Sequence, residues 1–324
     1  MKNKIKVAFI YKHDNVFLSG KHFDNTYYHF FINALNRNDR IEVTNYPTNE
    51  KFDINTLKDK TDVILLWSNA DFGMPQEIIG IQDCDIPVIS RGSDPGDAKK
   101  AKKNHKRWKI DYYFHFLPEG LFYELYPSNF KYKKIIYCLE GSLYQDIVPF
   151  QNRKKDKILN SGNVGNTKII SRIINDIRKP EWNTYRCKIL RTKCNALPFV
   201  DYTSTLQHEF VNDRYPQLLQ KYQAAIAADT KCPVQKYWEI PAAGCLTFME
   251  VTEKNRGTHL GFEDGESAVF INENNYVEKF KEYLSDVNNP KWERIANNGR
   301  KFALENFNND KAVLSLIEIM EELV

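Results

Sequence analysis

No CxxC pair occurs in the 324 residues, although there are six cysteines: Cys84, Cys138, Cys187, Cys194, Cys232 and Cys245. That absence excludes a zinc ribbon and a thioredoxin-type redox motif. Most of these cysteines sit in or beside apolar runs, as free thiols in a reducing compartment do. Long hydrophobic runs are also missing. Stretches such as Val63 to Trp67 fall far short of the ~20 residues that span a bilayer. Met1-Lys2-Asn3-Lys4 leads into a short strand pattern rather than a signal-peptide core. The expected location is cytoplasmic, or peripheral at the inner membrane face. An excess of one charge is lacking too. Lys+Arg is 46 and Asp+Glu is 42, a net charge of +4, which does not mark a dedicated nucleic-acid binder. Neither GxGxxG nor a Walker A loop is present.

What the chain has is apolar and aromatic content, 42% and 13%, enough for two cores. Its length also favours two domains. Short apolar runs recur at Ile5 to Tyr11, Ile41 to Val43, Asp62 to Trp67, Ile86 to Ser90, Ile110 to Phe114 and Lys134 to Tyr137. Polar or helix-like stretches separate them. This alternation predicts parallel strands joined by crossover helices. The ligand crevice of such a domain lies at the carboxyl ends of its strands. The polar stretch Gln151 to Lys157 reads as a linker. After it the pattern restarts at Ile158 to Asn160, with a helix predicted over Ile169 to Ile177. Cys187 to Leu190, Ala224 to Ala228, Cys245 to Phe248 and Ala268 to Ile271 read as further strands, and the C-terminus reads as helical.

The most informative stretch is Tyr222 to Phe248. It holds an alanine-rich strand, a loop, and then Lys236-x-x-Glu239-x-x-Ala242-x-Gly244 at the start of a helix. A carboxylate there can accept both hydroxyls of a ribose, each charge-assisted bond contributing about 1.5–3 kcal/mol. Free N–H groups at the helix start favour phosphate. Ala242, Ala243 and Gly244 allow close packing and a tight turn. The other reading of Glu239 is a solvated carboxylate on an amphipathic helix.

This stretch resembles the donor-binding signature of B-fold glycosyltransferases. It is similar to families 1 and 4, the group related to sucrose and glycogen synthases, and most of all to spore-coat-type enzymes. The resemblance implies an α/β chain with two Rossmann-like, doubly wound domains facing a central cleft. Residues 1–150 would bind the acceptor and 151–305 the nucleotide-sugar donor, and 306–324 would form a helix crossing back to the first domain. One departure stands out. The retaining families often carry a second glutamate where this chain has Lys231. The sugar, the anomeric outcome and the role of Lys231 stay open; Lys231 faces either the diphosphate or solvent.

Other donor-side candidates follow from position. Gly162 and Gly165 lie in a strand-to-helix turn, with Lys168 placed to neutralise a diphosphate; the plain alternative is an ordinary turn. Arg191 and Lys193 follow the strand predicted to end at Leu190, facing either the ligand or solvent. Tyr202 sits in a segment that resembles the loop closing over the base. For a catalytic base the candidates are His22, His29, His115 and Asp94, none singled out. No metal or other cofactor is implied, because helix N-termini and basic residues can stabilise a leaving diphosphate.

The run Lys99 to Lys109 is densely basic. It reads as a solvated helix face or as a peripheral contact with an anionic membrane, where each cation contributes about 1 kcal/mol. The expected partners are a nucleotide-sugar donor and a glycan, lipid-linked or other small acceptor. Two other functional classes remain: a non-catalytic nucleotide- or sugar-binding module, and a nucleic-acid binder using the basic run.

Overall fold

Five of the apolar runs in the first half pair side by side as strands, and the sixth strand ends where the expected run at Lys134 to Tyr137 begins, with Ile135 to Tyr137 outside the sheet. The six strands are β1 (Ile5–Lys12), β2 (Ile41–Thr48), β3 (Val63–Leu66), β4 (Val88–Arg91), β5 (Tyr112–His115) and β6 (Tyr132–Lys134). The sheet order is β2-β1-β3-β4-β5-β6, and every pairing is parallel. The computed structural model describes residues 4–12, 27–165, 168–178, 180, 182–203 and 209–324, without the side chains of Tyr27 and Tyr28. Val7 to Ile10 and Val63 to Leu66 are buried throughout, as strands covered on both faces must be. Helices α1 (Tyr27–Arg37), α2 (Ala98–Ala101), α3 (Asn104–Arg107) and α4 (Glu119–Leu125) belong to this half.

The second half repeats the plan with its own core. Its strands are β7 (Lys154–Asn160), β8 (Val200–Tyr202), β9 (Tyr222–Ala227), β10 (Leu246–Glu250) and β11 (Val269–Ile271). They run in the order β8-β7-β9-β10-β11, again all parallel. Its helices are α5 (Ile169–Arg178), α6 (Thr184–Cys187), α7 (Ile189–Cys194), α8 (Tyr215–Leu219), α9 (Lys236–Ala242), α10 (Tyr276–Ser285) and α11 (Pro290–Phe307). The slim β9, rich in alanine, lies at the sheet centre. Gly244 takes φ +71° just after α9, and a Cβ there would lie 2.5 Å from Ile147 Cδ1. The tight turn into β10 therefore requires glycine.

The chain divides into two compact units, 1–138 with 309–324, and 139–308. The last helix, α12 (Asn309–Leu323), belongs to unit 1 and packs against α1. Its Val313, Leu316, Ile317 and Met320 are fully buried. Around that apolar stripe, Arg37 meets Asp310 at 2.7 Å, Arg40 meets Glu321 at 2.6 Å and Lys133 meets Glu318 at 2.8 Å. These pairs are exposed and contribute little, so the buried stripe holds the helix.

Two segments differ from the sequence pattern. Gln151 to Lys157 is no linker. Its second half forms the exposed start of β7, where Lys154 bonds Asp201 at 2.7 Å and Lys157 donates to the Pro198 carbonyl at 2.7 Å. Cys187 to Leu190 is helical, not a strand. Asn183 caps α6 by accepting from the Arg186 N–H, and Leu190 and Cys194 bury one face of α7 at helical spacing. The strand beside β7 is instead the short β8.

Candidate functional site

In unit 2, strand order reverses about β7, which has β8 on one side and β9 on the other. Doubly wound sheets bind ligands outside the carboxyl ends of the strands at such a point. β7 ends at Asn160, so Ser161 and Gly162 form the rim. Gly162 has φ +83°, and a Cβ on it would lie 2.8 Å from Lys236 Nζ and 3.4 Å from Arg191 Nη2. The glycine thus serves both the left-handed backbone and the close approach of two cations.

Those two cations converge on one carbonyl. Arg191 Nη2 donates to Ser161 O at 2.6 Å, and Lys236 Nζ donates to the same oxygen. Lys236 Nζ also reaches Ser161 Oγ at 3.1 Å, which lies 2.6 Å from the Tyr215 hydroxyl. Arg191 is buried, and Asn160 holds it in place by donating to its backbone carbonyl at 2.9 Å. Burial pushes the Lys236 amine well below the usual lysine range; Arg191 adds to this and Glu239 opposes it. Two close cations of this kind favour an anionic ligand.

Glu239 lies one turn along α9 from Lys236. Its carboxyl is pushed up to about 7 by burial, against the pull of Lys236. Among the described residues its carboxylate accepts no hydrogen bond, so it has acceptor capacity left for a ligand. Sequence reasoning did not single out Ser161 or Tyr215 as contacts, because their contacts span 75 and 54 positions of chain.

Of Arg191 and Lys193, only Arg191 belongs to this group. Arg191 and Lys193 lie on helix α7, not after a strand, and their side chains diverge. Lys193 is exposed and pairs with Glu273. Gly165 packs against α6, where a Cβ would lie 2.7 Å from the Tyr185 Cα; its N–H donates to Thr192 Oγ1 at 2.9 Å. Lys168 is exposed at the start of α5. Lys231 lies 5.6 Å from the Trp182 ring centre. Tyr202 ends β8 and is 55% exposed.

In unit 1, His22 lies outside the described residues, His29 is half-buried and Asp94 is exposed after β4. His115 is wholly buried. Its Nδ1 accepts from the Leu117 N–H at 3.3 Å, and burial, with Arg91 nearby, holds it well below the usual histidine range. Its Nε2 is buried without a hydrogen-bond partner among the described residues. In the basic run, Lys103 and Arg107 pair with Asp71, and Lys109 donates to the Cys84 carbonyl. The run is thus anchored to its own unit. Asp83-Cys84-Asp85 has the Asp-x-Asp spacing of metal-dependent transferases, but both carboxylates are exposed at the amino end of β4. Among the described residues, no group of three or more His, Cys, Asp and Glu side chains is arranged to hold a metal ion.

Two more acids stand at the carboxyl ends of β9 and β10. Asp229 and Glu250 are buried, and the loops bearing them are tied through Tyr237 and Asn255. The Asp229 N–H donates to the Tyr237 hydroxyl at 3.0 Å, which donates to the Glu250 carbonyl at 3.0 Å. Asn255 Nδ2 adds a bond to that carbonyl at 2.7 Å. Burial pushes Asp229 up to about 6. It pushes Glu250 up to about 8, with Asp229 and Glu273 adding repulsion. A charged residue at the end of a mainly apolar strand is the signal that would have marked both.

A raised carboxyl holds its proton in the folded state and loses it in the unfolded state. Stability therefore falls as pH rises from the ordinary value of 4.5 towards about 8 for Glu250. Glu250→Gln removes the charge that high pH imposes. Urea denaturation should find the variant close to the parent protein at pH 5 and more stable at pH 8. Equal stability at pH 8 would mean that Glu250 ionises without penalty.

Residues 177–318, less than half of the chain, match the model of the family described as glycosyl transferase-like. No curated protein matches the chain significantly. Among solved structures, a sucrose-phosphate synthase from Thermosynechococcus elongatus is similar at TM-score 0.61 and 12% identity, covering 99% of both chains. HepE from Anabaena in complex with UDP-glucose aligns at TM-score 0.58 and 12% identity, over 98% of this chain and 100% of that one. A glycosyltransferase from Rickettsia africae aligns at 0.58 and 10% identity, over 99% of each chain. At such identities the likeness concerns the fold. The chain has the two-domain α/β fold of the B-type glycosyltransferases, and its residues 177–318 are glycosyl transferase-like in sequence.

Proposed function

We propose that this protein is a glycosyltransferase that moves a sugar from a nucleoside-diphosphate sugar to an acceptor hydroxyl. Unit 2 binds the donor. The observation that carries this reading is the convergence of Arg191 and Lys236 on the Ser161–Gly162 turn at the switch point of the sheet. A diphosphate laid against that turn meets two fixed cations, and Glu239 on the same helix as Lys236 accepts the ribose hydroxyls. When the bond from the anomeric carbon to the diphosphate breaks, negative charge grows on the departing oxygen. Arg191 and Lys236 meet it without reorganising, the role that a metal ion plays in other transferases. Lys193, paired with Glu273, takes no part in this core of the site. The acceptor, a glycan, a lipid-linked sugar or another small molecule, binds unit 1 in this reading.

UDP and UDP-hexoses are the first probes, because UDP-glucose is bound in the HepE structure. A thermal-shift screen of nucleoside diphosphates and their sugars tests the proposal. A ligand at a hundred times its Kd adds about 2.7 kcal/mol of stability, a shift of several degrees. Failure of every nucleotide to raise the melting temperature would sink it. Release of free nucleoside diphosphate in the presence of sugar acceptors then separates an enzyme from a module that only binds.

A further inference from the structure

Helix α5 is amphipathic the wrong way round for a core helix. Ile169, Ile170, Ile173, Ile174 and Ile177 form one stripe at helical spacing, and they are 73%, 74%, 55%, 43% and 77% exposed. No residue of the helix is buried. The polar residues Ser171, Arg172, Asn175 and Asp176 are the better covered ones. They anchor the helix to unit 2. Asp176 accepts from Asn183 Nδ2 at 2.7 Å and from Arg186 Nε at 2.9 Å, and the Arg172 guanidinium lies 3.8 Å from the Tyr185 ring centre. The helix is thus held by its polar face and presents its isoleucines outward. A contiguous apolar patch of this kind marks an interaction surface.

We infer that α5 is a membrane-docking helix that lies flat in the surface of an anionic lipid bilayer. Charge selects that partner. Lys168 and Arg178 bracket the stripe and are exposed, and the one acid between them, Asp176, is paired with Arg186. An apolar stripe with cations at its edge enters the headgroup boundary while the cations meet lipid phosphates. Size argues against a second copy of this chain. A ten-residue helix is about 15 Å long and about 10 Å across. Its outer face is well below the ~800 Å² that each partner gives to a standard interface. Its residues are not those of the basic run at Lys99 to Lys109, nor those proposed to bind the donor.

The test is co-sedimentation of the full chain with vesicles of phosphatidylcholine alone, or with one-third phosphatidylglycerol. The proteins compared are the native one, Ile170→Ser/Ile173→Ser/Ile177→Ser, and Lys99→Gln/Lys100→Gln/Lys102→Gln/Lys103→Gln. The native protein should sediment with anionic vesicles and much less with neutral ones. The isoleucine variant should bind at least about tenfold more weakly, while the lysine variant keeps most of its binding. Because the substitutions are on an exposed face, circular dichroism and melting temperature should match the native protein. Equal sedimentation of the native and isoleucine proteins would overturn the inference. So would failure of the native protein to sediment, or a native dimer that the isoleucine variant dissolves into monomers. Nucleotide binding is read on the same proteins by thermal shift, so a failed donor site and a failed docking helix are told apart.

Discussion

Arg191→Met should weaken binding of the nucleoside diphosphate selected by screening by about a hundredfold or more. The guanidinium is buried and donates to Ser161 O, so it is already positioned where the Ser161–Gly162 turn would meet phosphate. Hydrogen bonds to charged groups contribute about 1.5–3 kcal/mol each, and a phosphate can take two from one guanidinium. Met keeps much of the volume and removes all donors. The substitution also leaves Ser161 O with Lys236 alone, so some stability should be lost. Calorimetric titration separates the effects when run below the variant's melting temperature. Lys193→Met is the control, because Lys193 pairs with Glu273 on the surface. If Arg191→Met binds the nucleotide as tightly as the native protein, the two cations serve only to hold the turn.

Glu239→Gln should cost about ten- to a hundredfold in affinity for the same nucleotide, the loss of a charge-assisted pair. Here pH gives a second readout. The carboxyl stands at about 7 in the free protein, so it is largely protonated at pH 6 and largely ionised at pH 8. Ribose hydroxyls donate best to the ionised form. The ratio of native to variant affinity should therefore grow from pH 6 to pH 8. The ratio is the quantity to follow, because it cancels the pH effects that the two proteins share. A constant ratio, or equal affinities at pH 8, would return Glu239 to the role of a helix carboxylate without a ligand. Stability should change in the opposite sense, since Gln cannot be forced to ionise in a buried place.

Much of the fold was legible because both sheets are parallel and covered. Val63 to Leu66 and Ala224 to Ala227 read as strands from unbroken apolar character alone, and both are central. The error at Cys187 to Leu190 arose because a short run with Ile and Leu has no periodicity of its own. What decides it is the Asn183 cap and the packing of Leu190 and Cys194, seen only with the rest of the unit. The same limit applies to the site. Lys236, Glu239 and Gly244 lie within nine residues, so their pattern survives in the sequence. Ser161, Arg191 and Tyr215 reach the same place from three other segments, and only folding joins them. Lys193 carried the right charge at a plausible position, but its side chain pairs with Glu273 instead. The outward turn of α5 was invisible as well. Its isoleucine stripe predicts a helix, and the stripe alone says nothing about which side faces the protein.

The division of the chain also sets an order of events. Unit 2 is one uninterrupted stretch, 139–308, and its two ends meet where Leu139 bridges Asn308. Unit 1 is split, with Cys138 and Asn309 joined by a 2.7 Å bond from the Cys138 N–H to the Asn309 side chain. During synthesis the sheet of unit 1 is made before unit 2, and α12, which packs against α1, only after it. Unit 2 is by then wholly translated and free to fold by itself. The half begun first is thus completed only after the other has been made, so its apolar face on α1 waits for residues 309–324.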